Sequence, residues 1–258
     1  GWRAALAGAP PVLALPLDRP RPPVRSDVGA EHRRTIAAPL TAALAARCRA
    51  CAATPFMGVL AAFFAFLQRL TGHHDLVVGT NTFNRDRREL APLIGFFVDN
   101  LVLRATVDAA LGFDALLEHV RARTLDALAH QDLPFELLVE QLAPPRVPGC
   151  NPLFQVALVW SRPEVEMPPT ANMALVELED RAARFDLTVF VGPRGDGLEL
   201  RMVHATDVLD PETVAQWADA LLTLLAGLVA APERPLAELP LLAPAATEQV
   251  LGPWSRAP

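Results

Sequence analysis

Residues 71–80 read TGHHDLVVGT, and His73 and His74 followed by Asp75 and Gly79 are residue types that could build an acyl-transfer site. An imidazole titrates near neutrality and can take a proton from an attacking nucleophile, with a carboxylate orienting the loop that carries it. Two other stretches hold similar chemistry: His130 stands before Gln131 and Asp132 in HQDLPFE, and Cys48 and Cys51 have C-x-x-C spacing. Each also has a plainer reading. The cysteines lack a second pair to complete a metal site and fall in an Ala-rich helical stretch, so reduced helix cysteines are expected. No Ser or Cys nucleophile lies near His130 in the sequence. His130, Gln131 and Asp132 are therefore expected to brace the backbone between two helices, with contact to a reacting group as the second reading. The pattern around His73-His74 is helix end, turn, then strand, which predicts a solvated turn.

These residues are positioned by interleaved helices and strands. Pro10 to Pro23 is rich in proline and should run extended, and Glu31–Ala37 alternates as a short strand would. A helix is predicted over Pro39–Ala52, then a stronger one with Thr54 as N-cap, Pro55 in its first position and Gly72 past its end. Leu76-Val77-Val78 reads as a buried strand and Phe96–Val107 as a long one. Phe113, Leu117, Val120, Thr124 and Leu128 recur at helical spacing, and Pro134 can start another helix carrying Phe135, Leu138, Val139 and Leu142. Phe154–Trp160, Asp186–Val191 and Leu198–His204 follow as strands, the last two flanking the hairpin signal GPRGDG. A final helix opens at Asp210-Pro211-Glu212. The interleaving predicts an α/β fold, a mixed β-sheet covered by helices.

The bulk numbers narrow the function class. With 258 residues and 52% apolar side chains the chain can bury a sizeable core. A formal charge of −6 argues against a nucleic-acid partner. All the basic residues are Arg, and Lys and Tyr are absent, which looks like a GC-rich coding background. The longest apolar run, Pro55–Leu67, is shorter than the ~20 residues a bilayer requires. No membrane partner is expected, and a cytoplasmic location follows by default. The N-terminus shows no signal pattern and reads as the middle of a longer protein.

Three ordered segments add a specific resemblance. IGFFVDNLVLR (Ile94–Arg104), HQDLPFE (His130–Glu136) and NPLFQV (Asn151–Val156) resemble motifs of the condensation domains of nonribosomal peptide synthetases. LPLDRPRP near the N-terminus, the loop NRDRREL and the tail LPLLAPAATEQVLGPWSRAP resemble the same family, so the likeness covers nearly the whole chain. It implies a fold of two lobes, each like half of chloramphenicol acetyltransferase, with a His-His-x-x-x-Asp-Gly motif in the N-terminal lobe. That motif would need Asp at position 78, where this chain has Val78; Asp75 comes too early. The chain is then expected to be the C-terminal lobe. Residues 1–30 would be the interlobe helix end and connector, 31–230 the lobe, and 231–258 a linker towards a following adenylation domain.

The resemblance places Asn84, Arg85, Gly95, Asp99, Asn100, Arg104, His130, Gln131, Asp132 and Asn151 in the motifs or along the substrate channel, with no catalytic residue and no metal. Asp99-Asn100 replaces the family's Asn-Thr; an ionised Asp only accepts hydrogen bonds. Two readings stay open for this pair: substrate contact through Asn100, or a strand-edge pair bonded to the neighbouring loop. Cys150 replaces a motif Arg, so its loop is expected to have lost part of a salt-bridge network, and no catalytic thiol is assigned. The intact domain would join a carrier-bound acyl or peptidyl donor to an aminoacyl acceptor. No cofactor would bind directly; phosphopantetheine arms would arrive on upstream and downstream peptidyl carrier proteins. The N-terminal lobe and a neighbouring adenylation domain complete the expected partners. Asn81–Leu90 and Ser161–Met173 are the expected crossing loops. By itself the chain should be inactive and expose an apolar face. The alternatives are a non-catalytic carrier-docking module and a self-sufficient acyltransferase using His74 or His130.

Overall fold

The strongest capping signal in the sequence produces the most buried helix. In a computed structural model, which describes residues 1–84, 88–90, 92–161 and 182–249, the chain runs in order through α1 (Trp2–Leu6), β1 (Gly29–Ile36), α2 (Ala38–Ala50), α3 (Pro55–Thr71), β2 (Asp75–Thr82), β3 (Asp99–Thr106), α4 (Phe113–Leu128), α5 (Phe135–Leu142), β4 (Val156–Trp160), β5 (Leu187–Arg194), β6 (Gly197–Ala205), α6 (Pro211–Ala230) and α7 (Pro244–Gln249). At the start of α3 the Thr54 hydroxyl accepts the Met57 N–H, and Pro55 sits where no N–H is required. Gly72 ends the helix at φ 73, the left-handed conformation that costs glycine least.

Six strands form one sheet in the order β1-β6-β5-β4-β2-β3. β5 pairs in parallel with β4, and β4 with β2; the other three pairings are antiparallel. Helices α2, α3, α4 and α6 pack one face, with Phe63, Phe64, Phe66 and Phe113 at the centre of the core. α6 is long and apolar enough to cross a bilayer. Its Val214, Trp217, Leu221, Leu224, Leu225 and Leu228 are instead buried in that core. Among the described residues, α1 and α5 cover the opposite face over β2, β3 and β4, where Leu6, Leu138 and Phe154 meet Val77, Val102 and Ala157. Gly79 is the close-approach point: a Cβ there would lie 2.1 Å from the Phe154 ring. Over β1 and β6 this face carries Glu31, Arg33, Glu199 and Arg201, and the Arg201 guanidinium stacks 4.2 Å from the Phe190 ring centre on β5.

One expectation is corrected. The strand predicted from Phe96 begins only at Asp99, because its antiparallel partner β2 ends opposite it at Thr82. Residues 96–98 therefore have β-forming side chains but no ladder to join. The Pro-rich stretch from Ala231 is also held against the body of the fold for its first residues. Leu236 and Leu239 are buried, Arg69 donates to both their carbonyls at 2.8 Å, and Phe113 N donates to Pro232 O at 2.7 Å. Carbonyls of this stretch thus serve a helix start and an arginine.

The N-terminal connector is pinned more tightly still. Gln155 accepts the Leu13 N–H at 2.7 Å and donates to Pro11 O and Asn151 O. Arg21 makes a bidentate pair with the fully buried Asp186 at 2.7 and 2.6 Å. Arg25 adds bonds to Asp186, Asn151 Oδ1 and Ala183 O. Further on, Asp18 accepts the Asp210 N–H and the Thr213 hydroxyl at the start of α6. Asp186→Asn should leave two partly buried guanidiniums short of charge and lower stability by about 3–5 kcal/mol in denaturant unfolding.

A second expectation concerns acid. His204 is fully buried with both ring nitrogens unpartnered, beside His32, Asp210 and Asp18. Burial, then His32, lowers its pKa below the usual 6.5 against the opposing pull of the two carboxylates. The unfolded chain then binds the proton first, so stability should fall as pH drops below about 6.5. Thermal unfolding of His204→Leu should show a shallower loss across that range.

Candidate functional site

The end of β2 faces the start of β3, with Thr82 opposite Asp99 and Asn81 opposite Asn100. Asp99 Oδ1 accepts the Asn100 N–H at 2.7 Å, and Oδ2 accepts the Phe135 N–H at 3.2 Å. Phe135 opens α5, whose N-cap position is Pro134 and offers no side-chain acceptor. Asp99 supplies that acceptor from the neighbouring strand, so its carboxylate is engaged by backbone donors. The Thr82 hydroxyl donates to Gln131 Oε1 at 2.5 Å and lies 3.3 Å from Asn84 Oδ1. Asn84 takes the left-handed conformation at φ 46, which Asn tolerates better than most residues. Asp132 is exposed beside Gln131. Asn84, Asp99, Asn100 and Gln131, predicted from separate segments, are thus gathered at one end of the sheet.

The apolar part of the first motif stands outside the fold. Ile94 is fully exposed and Phe96 is 86% exposed, with half-exposed Leu93 beside them. Gly95 lies between, and a Cβ there would sit 3.1 Å from the Phe97 ring. Arg85 lies outside the described residues, as does the expected crossing loop Ser161–Met173 beyond Ser161.

Other predicted residues are elsewhere. Arg104 is five residues further along β3, about 17 Å at ~3.4 Å per residue. It pairs bidentately with Asp75 at 2.8 and 2.7 Å and donates to Ala5 O and Ala7 O. Asp75, the acid that made His73-His74 look catalytic, is thus the partner of Arg104. The histidines form the turn between α3 and β2: His73 N donates to the Thr71 hydroxyl, and His74 Nδ1 donates to Val107 O at 2.8 Å. His130 Nδ1 donates to Asp126 O, and its carbonyl accepts the Trp2 indole N–H at 3.0 Å. Asn151 is held by Arg25 on the connector. The loop carrying Cys150 is likewise tied by an arginine from the connector, Arg21 to Gly149 O.

None of the three thiols is activated. Burial pushes Cys48 up to about 11 and raises Cys51 and Cys150, the opposite of a reactive thiolate. Among the described residues no group of His, Cys, Asp and Glu is placed to hold a metal ion.

A feature the sequence did not announce lies beside the gathered motif residues. A cavity of about 620 Å³ opens between the start of α3, the end of α4 and the ends of β2 and β4. Phe56, Leu101, Leu128 and Trp160 line it, and each fits an ordinary core pattern in its own segment. Only their convergence marks the cavity.

The capping role of Asp99 is testable. Asp99→Ala should cost about 1 kcal/mol, the usual loss for an N-terminal helix acceptor. Asp99→Asn should lose less, since its amide oxygen still accepts the Phe135 N–H; denaturant midpoints of the two variants decide.

Comparison with known proteins agrees with this architecture. The family model described as Condensation domain matches residues 2–251. A linear gramicidin synthase of Brevibacillus parabrevis is 38% identical over 98% of this chain, which spans 3% of that protein. Phosphinothricin tripeptide synthetase PhsC of Streptomyces viridochromogenes is 39% identical over 93% of this chain, which spans 22% of it. This chain therefore corresponds to a small part of such synthetases. Among solved structures, holo-AB3403, a four-domain nonribosomal peptide synthetase bound to AMP and glycine, superposes with a TM-score of 0.88 at 25% identity, covering 95% of this chain and 20% of that one. The X-domain from teicoplanin biosynthesis superposes with a TM-score of 0.86 at 29% identity, covering 93% of this chain and 56% of that one. The mixed sheet and its helices share the chloramphenicol-acetyltransferase-like fold of these neighbours. On its sequence match and its fold together, this chain belongs to the condensation-domain family of nonribosomal peptide synthetases.

Proposed function

We propose that the chain is the C-terminal lobe of a condensation domain that forms an amide between two carrier-tethered substrates. The acceptor amine attacks the donor thioester carbonyl, the phosphopantetheine thiolate departs, and the proton lost by nitrogen ends on that thiol. This needs a base, and no His-His-x-x-x-Asp-Gly occurs in these 258 residues. The lobe would contribute one wall of the channel through Asn84, Asp99, Asn100 and Gln131, loops that cross to the other lobe, and docking surface for the two carrier proteins.

The observation that carries the reading is the exposed motif loop. Ile94 and Phe96 project from a segment that resembles a family motif, with no cover within the described fold. Apolar side chains of this size are left in solvent where another surface belongs. The half-length match to the teicoplanin X-domain fits one lobe of a two-lobed unit.

A second reading, a docking platform without chemistry, draws on a different neighbour. A solved complex of the X-domain and OxyB from teicoplanin biosynthesis matches this chain at a TM-score of 0.86 and 29% identity. A domain of this fold thus takes part in a protein–protein complex. Replacement of the family's Asn-Thr by Asp99-Asn100 also favours this reading.

Amide formation should be assayed with two loaded carriers, first with this chain alone and then after joining it to an N-terminal lobe bearing the base motif. The lobe reading expects no product from the chain alone and product from the joined protein. Turnover by the chain alone overturns the reading. Carrier docking without turnover in the joined protein favours the platform.

A further inference from the structure

The cavity beside the motif residues has a chemical character of its own. Among the described residues, Phe56, Phe83, Leu101, Leu128, Val159 and Trp160 supply its apolar lining, and no ionisable side chain lines it. Its polar lining includes Asn81 and Thr80 at the end of β2. The strand register ties it to the motif: Asn81 stands opposite Asn100, and Thr80 opposite Leu101, two residues from Asp99. Its volume, about 620 Å³, falls in the range of about 300–1,000 Å³ common for small-molecule sites, which are mostly apolar with few polar groups. Leu128 and Phe83 are partly exposed, so the cavity reaches solvent through apolar side chains.

From this lining we infer that the cavity receives the hydrocarbon portion of a thioester substrate, as an acyl tail or as an aminoacyl side chain, and selects against charged chains. The assignment rests on the reading of the chain as a condensation-domain lobe and names the substrate class of that site. An apolar chain entering here leaves water for aromatic and aliphatic contacts. A carboxylate or ammonium would lose its hydration and find no opposite charge among the described lining residues. Phe56 and Trp160 bound the space with rigid rings and set the size accepted, and Leu128 guards the opening.

The test uses the whole 258-residue chain and four N-acetylcysteamine thioesters. Octanoyl against succinyl examines the acyl source, and leucyl against aspartyl the side-chain source. Binding is read from the Trp160 indole N–H in nitrogen-15 NMR, assigned with Trp160→Phe. One or both apolar probes should shift the Trp160 signal saturably, and the pair that discriminates identifies the source. Leu128→Asp should weaken that binding about tenfold or more by placing an unpaired charge at the opening. Leu128→Trp, which narrows the opening without charge, should weaken it too and decides the matter if Leu128→Asp does not fold. Leu125→Asp, exposed on α4 and outside the cavity lining, should bind like the parent. Equal binding of charged and apolar probes, or a Trp160 signal unmoved by all four, overturns the assignment. Titration with a phosphopantetheinylated carrier protein separates the two readings. Docking with an unmoved Trp160 signal removes the cavity assignment and leaves the lobe reading standing. Apolar-probe binding without docking counts against the lobe reading and leaves the cavity as an apolar thioester site.

Discussion

A fully buried carboxylate anchors the N-terminal connector to the sheet between its other ties. Asp186 is fully excluded from water, and its charge is answered by Arg21 and Arg25 from a segment that lacks helix and ladder bonds of its own. Burying that charge alone would cost several kcal/mol, so the carboxylate and the two guanidiniums stabilise the fold only when assembled together. The backbone of Asp186 serves the sheet as well: its N–H donates to Gln155 O, and its carbonyl accepts the Ala205 N–H. One residue therefore ties the connector to the point where β5 starts beside β4 and β6.

The two ends of the sheet have separated duties. At one end Arg104 and Asp75 clamp the last carbonyls of α1, and the paired histidines only turn the chain from α3 into β2. At the other end β2 and β3 stop short, Asp99 starts α5, and Gln131 ties the α4–α5 turn to Thr82. The hydrogen bonds that brace this second end use the motif side chains themselves. It is also where the exposed motif loop departs and the apolar cavity opens. Residues of the condensation-domain motifs thus carry structural bonds at both ends of β3.

Much of this could be read from local chemistry. Thr54, Pro55 and Gly72 dictate a helix between them because each satisfies or avoids a specific backbone requirement. The hairpin around Gly195, the helical spacing from Phe113 to Leu128 and the mixed, helix-covered sheet follow from similar rules. The three motifs identified the family because their residue types and order recur. His73-His74 could be set aside because the motif that the resemblance implies needs Asp at position 78, where this chain has Val78.

What local chemistry left open were contacts between distant segments. Nothing near Phe96 announces that β2 has already ended, so propensity over-extended the strand; a ladder needs a partner, and the partner's length is a tertiary fact. The proline content after Ala231 reads as a linker. Whether its free carbonyls meet water or Arg69 depended on a helix far away in the sequence. Asp99 became a helix acceptor, Asp75 an ion-pair partner and Trp160 a cavity wall by the same logic. Neighbours along the chain set which conformation a segment favours, but how far a strand runs and what a side chain does are set by whatever the fold brings within a few ångströms of them.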